Sequence, residues 1–413
     1  MLILQNNQSK ISVNRTGLDS FVHSRLFCYL APFAALTAYL IYVTAANKMQ
    51  THDYYYTMYY LMNYDKGFVS RALVGEVVSW FVDTVTPTVI DVVSFLGSLF
   101  LIVSASLCLG SVLDKTRDNP GLHRNAAVLI VFLCILPFSF KTYLTDVAVD
   151  KFFWAIALLA VFLSQKKIGI LLVPVLCVIA TLINPLFLLG SMLLVAIVLL
   201  NECYESGFSA KHIIVCAVSY IAMIVIGVYD VAVITHGFAD AHEMASYFFS
   251  RYSEPVADYI LKDLADNYLM DYFTDKSAEF IFSEQIPLYL IGWGNGVKML
   301  FNALFFSAPA MVLFGIFWKS VIKEEKKGFG KFVFFLCGAT MAAALVFTVL
   351  AAWTFTRYIS FCFLVQLGLI LYFLARKNEA VVTVTGRIAD FCKKHVAVAA
   401  AAVSYVAIFI INH

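Results

Sequence analysis

The stretch LFCYLAPFAALTAYLIYV (Leu26–Val43) decides the fold. It carries no charged residue, and a run of that length matches the hydrocarbon core of a bilayer better than the interior of a water-soluble domain. It is also longer than the apolar core of a secretion signal, so it reads as a retained first helix, with cleavage near Ala45-Ala46 as the alternative. Working outward, similar segments recur along the chain. Eleven spans are expected, at about 26–45, 91–112, 126–140, 152–165, 168–183, 186–200, 213–235, 298–318, 332–353, 358–375 and 395–411. The region 168–200 alternatively reads as a re-entrant pair around Asn184-Pro185. A mean hydropathy of +0.84 excludes a soluble globular protein. Only helices and closed barrels satisfy their backbone inside lipid, and apolar runs of this length select helices. The expected fold is an all-α polytopic transmembrane bundle.

Charge sets the expected orientation. With the N-terminus in the cytoplasm, 19 of the 29 Lys and Arg fall on the inner side and 18 of the 27 acids on the outer side. Basic inner loops are what insertion favours. The division is then a cytoplasmic segment 1–25 and a first membrane module 26–235 holding spans one to seven and outer loops 46–90 and 141–151. A large outer loop 236–297 follows, then a second module 298–413 with spans eight to eleven and an outside C-terminus. The outer loop 46–90 reads as a partly amphipathic helical segment in the interface plane, with Phe68, Leu73, Val77, Trp80 and Phe81 at helical spacing. The loop 236–297 reads as a small helical subdomain rich in aromatic residues. None of the nine cysteines falls in an outer loop, so no disulfide framework is expected. A net charge of +2 without a basic domain gives no footing for nucleic acid. ATP-binding loops and the familiar hydrolase motifs are absent from the sequence. Gly292-Trp293-Gly294-Asn295-Gly296 reads as a hinge.

The candidate chemistry follows the first span. His52-Asp53-Tyr54-Tyr55-Tyr56, then Tyr59-Tyr60, then Tyr64-Asp65-Lys66-Gly67-Phe68-Val69-Ser70-Arg71 crowd acids, bases and phenols together. Ionisable groups beside membrane spans are costly and mark functional sites. Rings with acids suit a polar ring-shaped ligand such as a sugar. Asp53, at headgroup depth, suits a general base; it equally suits a helix N-cap. Asp65 suits the same chemistry or a pair with Lys66. Between spans three and four, Asp146 and Asp150 are four apart and would share a helix face. They suit a divalent ion, a sugar hydroxyl, or solvated pairs with Lys141 and Lys151. Arg71, Arg251 and Arg357 are the outer-side arginines, and a guanidinium grips phosphate in two-pronged fashion. Arg357 ends the short outer turn from Trp353, where it meets a lipid-linked phosphate or snorkels to headgroups.

This layout resembles the GT-C superfamily of integral-membrane glycosyltransferases. Those enzymes take a polyprenyl-phosphate or -pyrophosphate sugar as donor and place an essential acid directly after the first helix, with more acids in the second outer loop. Asp53 matches the first position, and Asp146 and Asp150 match the second by location. The chain departs in having no Asp-Glu dipeptide there and no soluble C-terminal domain. Gly67-Phe68-Val69-Ser70-Arg71-Ala72-Leu73-Val74-Gly75 is similar to a Gly-Phe-x-x-Arg-x-Leu-x-Gly pattern in membrane proteins of bacterial surface-polysaccharide loci. The resemblance implies an enzyme of the bacterial inner membrane building a surface glycan from a lipid-linked sugar and a glycan acceptor. Asp53 and the other acids would be catalytic, and Tyr54, Tyr55, Tyr56 and Tyr60 would stack on sugars. Arg71, Arg251 and Arg357 would hold the phosphate, with metal dependence open. The alternative is a transporter or flippase of lipid-linked oligosaccharide, which the scarcity of mid-span charges disfavours.

Overall fold

The computed structural model describes residues 24–45, 53–69, 71–135, 143–144, 148–184, 186–232, 237–269, 273, 296–350 and 355–411. In chain order the helices are α1 (Arg25–Ala45), α2 (Tyr54–Leu61), α3 (Leu73–Ser79), α4 (Pro87–Thr116), α5 (Pro120–Ile135) and α6 (Asp150–Ser164). A short 3₁₀ turn, Gly169–Leu172, leads into α7 (Val173–Ile183), followed by α8 (Leu186–Leu189), α9 (Ser191–Glu205) and α10 (Ala210–Ala232). Next come α11 (Ala241–Phe249), α12 (Asp258–Leu264) and a π turn, Ala265–Leu269. The remainder is α13 (Gly296–Glu324), α14 (Gly328–Leu350), α15 (Phe355–Ala375), α16 (Glu379–Lys394) and α17 (Val396–Ile411).

The eleven expected spans all overlap helix among the described residues, but fewer of them than expected can span a bilayer alone. Three helices among the described residues are long and apolar enough to cross a bilayer by themselves: Arg25–Ala45, Pro87–Thr116 and Ala210–Tyr229. A fourth joins them if α15 and α16, bent by 111° to each other, count together. Others are shorter than expected. The 15 residues of α6 rise only about 22 Å, against a hydrocarbon core of about 30 Å.

Packing explains which helices are central. α4 lies against α1, α5, α6 and α15. Its buried face is lined by small residues, Ser94, Ser98, Ser104, Ser106 and Ser111, which let neighbouring backbones approach closely. α6 and α15 are buried over most of their length. By contrast, α10 presents Ile214, Val218, Ile221, Val225 and Val228 outward at helical spacing. An exposed apolar stripe of that extent has lipid as its solvent.

The two ends of the bundle differ. At one end, buried Glu202 accepts from Tyr372 Oη at 2.8 Å and pairs with Arg376 Nη2 at 3.3 Å. Asn201 Nδ2 donates to the same phenol at 2.9 Å. Arg25 pairs with Asp114 at 3.2 Å, and Lys115 donates to Gln165. The other end carries α2, α3, α11 and α12, which join into a cap. Arg251 Nη1 donates to Leu61 O at 2.8 Å, and Gly237 N donates to Lys66 O at 2.7 Å. Val85 and Tyr252 form a parallel bridge, the sole β pairing among the described residues.

Candidate functional site

The cap is built on α2, Tyr54–Leu61, in which five of the eight residues are tyrosine. Asp53 is its N-cap: the extended backbone there turns the carboxylate onto Tyr55 N, with Oδ1 accepting at 3.1 Å. Capping uses one oxygen of an exposed side chain, so it leaves the carboxylate open to solvent and to a ligand. The N-cap reading of Asp53 is the one the geometry gives, and it does not use up the carboxylate.

From the Tyr55 hydroxyl a polar chain runs along the helix. Tyr55 and Tyr59 are four apart and share a face; Tyr59 Oη donates to Tyr55 Oη at 2.6 Å. Arg71 Nη1 donates to Tyr59 Oη at 2.9 Å, and its guanidinium lies 5.9 Å from the Tyr59 ring centre. Across the cap, the Tyr268 ring packs on Tyr55 with centres 4.5 Å apart. Burial raises the Tyr268 phenol above its ordinary pKa, and the nearby Asp53 carboxylate adds to the effect. Asp53, Tyr55, Tyr59, Tyr268 and Arg71 thus form one group, with a carboxylate at one end and a guanidinium at the other. Neutral phenols between them can donate and accept.

The segment Gly67 to Gly75 is shaped by this group. Gly67 has φ 105°, a conformation in which a side chain is strained. Phe68 stacks on Tyr64 at 5.6 Å and meets Tyr229 edge-on at 5.1 Å. Val69 and Ala72 are fully enclosed. Arg71 has φ 67°, costly for a residue with a Cβ, and such strain collects where a side chain must be aimed. At Gly75 an added Cβ would sit 2.2 Å from Met62 O, so only glycine lets α3 close on the end of α2. The apolar residues Val77, Trp80 and Phe81 that follow are exposed, as an interface-plane segment requires. Phe68 falls outside α3, however, so the expected continuous helix is two short helices with a turn between them.

Several expected residues take other positions. Asp65 does not pair with Lys66; it accepts from Asn63 Nδ2 at 2.6 Å and from Tyr247 Oη at 3.2 Å. Burial, then this carboxylate, raises the Tyr247 phenol. Lys66 reaches across to Glu243 at 2.8 Å, with the rings of Tyr247 and Phe238 beneath it at 4.8 and 5.0 Å. Their hydrogen bond holds the Glu243 carboxyl below its ordinary pKa. Tyr60 is wholly buried, so its ring packs the core and has no face for a sugar. Tyr54 meets Phe249 and Tyr56 meets Tyr55, each edge-on. Arg251 uses a guanidinium N–H to hold the end of α2, which makes it a strut of the cap.

The second acidic pair is corrected most. α6 starts at Asp150, while Asp146 and Lys141 lie outside the described residues. Asp150 and Lys151 are not solvated: each is at most 1% exposed. Asn184 Nδ2 donates to Asp150 at 3.0 Å, and Lys151 Nζ donates to Ser94 Oγ at 2.9 Å and Ser98 Oγ at 3.0 Å. Arg357 sits in the first turn of α15, with its side chain outside the described residues, as are His52 and 292–295 of the glycine run. Among the described residues no three His, Cys, Asp or Glu come together as a metal site.

Sequence comparison now places the chain. The family model of the uncharacterised membrane protein Rv1490 matches residues 27–316. The chain belongs to that family. The matched region takes in α1, both halves of the cap and most of α13, so the Asp53 group lies wholly within it. No protein of curated function and no solved structure matches.

Proposed function

We propose that this member of the Rv1490 family is a GT-C-like glycosyltransferase that uses a polyprenyl-linked sugar on the extracytoplasmic face of a bacterial inner membrane to build or extend a surface glycan. The observation that carries the reading is the grouping of the exposed Asp53 carboxylate, capping α2 at Tyr55 N, with the hydrogen-bonded chain Tyr55–Tyr59–Arg71 and the Tyr268 ring packed on Tyr55. In this reading Asp53 takes the proton of the acceptor hydroxyl as it attacks the anomeric carbon. Arg71 stabilises charge on the departing lipid phosphate, and Arg357 would assist from the head of α15. Tyr55 and Tyr268 offer ring edges and hydroxyls to the sugar. All eleven helical segments cross or enter the membrane, the shorter ones aided by local thinning.

Two measurements test it. Purified protein in proteoliposomes, given polyprenyl-linked donors and a glycan acceptor, should transfer sugar; Asp53→Asn should lower turnover by about 10²–10⁴-fold, a range typical of a lost general base. Arg71→Lys keeps the charge, loses the fork and should also impair transfer. Full activity in Asp53→Asn would remove the carboxylate from the mechanism. For topology, cysteines introduced at Asp53 and Glu254 should label from outside and those at Lys115, Lys326 and Lys377 from inside. Labelling of positions 53 and 326 from the same side would end the extracytoplasmic reading.

The buried Asp150 and Lys151 favour a second reading, transport of a lipid-linked oligosaccharide, because buried ionisable groups line transport paths. Under it, Asp150→Asn would stop flipping of a fluorescent lipid-linked glycan, and Asp53→Asn would not.

A further inference from the structure

Helix α16 follows α15 after a three-residue turn and bends away by 111°, so it lies across the end of the bundle opposite Asp53. Its apolar positions recur every three or four residues: Val381, Val384, Thr385, Ile388, Phe391, Cys392. The first half of this stripe is buried, with Ala380, Val381, Val384 and Thr385 packed where α16 meets α5 and α13. The second half continues the same face past the protein. There Ile388 is 47% and Phe391 51% exposed, and Cys392 is exposed as well. Because the buried half faces helices that run into the membrane, the exposed half faces the lipid alongside them. The remaining residues are strongly basic. Arg387 pairs with Glu324 at 2.6 Å and Lys393 with Asp390 at 2.8 Å; Lys394 and Lys377 are exposed, and the Asp390 carboxyl is held below its ordinary pKa by Lys393 first, with Lys394 and Arg124 adding to it.

We infer that the second half of α16 is an interfacial anchor, its Ile388–Phe391 stripe sunk among acyl chains and its Arg387, Lys393 and Lys394 bound to anionic phospholipid headgroups. The occupant is the bilayer itself, because the exposed stripe continues a face already seated on membrane-entering helices and because basic side chains rim it. The ion pairs to Glu324 and Asp390 do not cancel the attraction, since Lys394 and Arg124 lie beyond them, while Lys377 at the other end of the helix has Glu379 and Asp118 beside it. This anchor lies outside the region matched by the family model.

The test uses the full-length protein in nanodiscs of phosphatidylcholine with or without phosphatidylglycerol. A nitroxide on Ile388→Cys, in a Cys392→Ser background and corrected for that background alone, should collide with oxygen far more than with a water-soluble nickel chelate. Spin-labelled phosphatidylglycerol should associate with the protein in preference to phosphatidylcholine, and the variant R387Q/K393Q/K394Q should lower that preference by about fivefold or more. These three residues are exposed, so the bundle should stay folded; Ile388→Ser with Phe391→Ser probes the same anchor through its apolar face. Dominant nickel access at 388 would mean that the stripe faces water and would overturn the inference. Protection from both reagents would assign the stripe to a protein contact and overturn it equally. A lipid preference unchanged in the triple variant would remove the headgroup role.

Discussion

The two ends of this bundle spend polar side chains in opposite ways. At the Glu202 end the carboxylate, Tyr372, Asn201 and Arg376 satisfy one another, and the helices that carry them are locked together. At the capped end an exposed carboxylate caps the helix, and beside it a short chain of two phenols ends on a guanidinium held in a strained backbone. A closed network stabilises and leaves nothing over for a ligand. An open one keeps chemical capacity, and its strain must be carried by the packing around it.

The difference can be broken by substitution. Glu202→Ala should have the largest effect on stability, about 3 kcal/mol, the low end for a broken buried pair because Arg376 still reaches solvent. Unfolding of detergent-purified protein in denaturant would read it. If stability holds while transfer vanishes, the Glu202 end is the functional one and the comparison fails. Tyr59→Phe removes the hydroxyl that joins Arg71 to Tyr55, and should loosen the cap by about 1–2 kcal/mol. Amide exchange over residues 54–61 should speed up, while that of α4 stays as it was. Lys66→Met should do least, because the pair with Glu243 is solvent-exposed. Its signature is in pH. The folded Glu243 carboxyl is depressed, so its contribution is present above the ordinary carboxylate pKa and lost as pH falls through the lower, folded value. Exchange of residues 237–249, corrected for intrinsic rates, should therefore rise on acidification in the native protein. Lys66→Met should flatten that rise.

The helices were legible because apolar length is a strong signal, though fewer of them than expected are long enough to span a bilayer alone. The cap was half legible. Crowded tyrosines after a span pointed to α2, and the N-cap reading of Asp53 holds in the structure. What the sequence hid was partnership. Lys66 sits beside Asp65 but pairs 177 residues away with Glu243, where two rings give its charge a better seat than one exposed neighbour. Asp150 was expected to be solvated, but its seat under Asn184 comes from the end of a helix 34 residues on, which no local spacing shows. The inner network was missed because Glu202 and Arg376 lie in different inner segments, with nothing in either to announce the other. Basic residues within 376–394 read as a loop, yet the period of Val381, Val384, Ile388 and Phe391 was visible there and marks α16.

The tie between Arg251 and Leu61 spans 190 residues, and Gly237 meets Lys66 across a comparable distance. During synthesis, α2 and α3 therefore emerge long before α11 and α12 exist to cover them, and α4 to α10 must be inserted in between. The tyrosine-rich face waits bare at the membrane surface for that whole interval, and such long-range closure is slow. A chain halted before residue 237 would contain Asp53, Tyr55, Tyr59 and Arg71 and still lack Tyr268 above them. Nascent copies are thus silent by construction, and the site becomes complete only after most of the bundle has entered the bilayer.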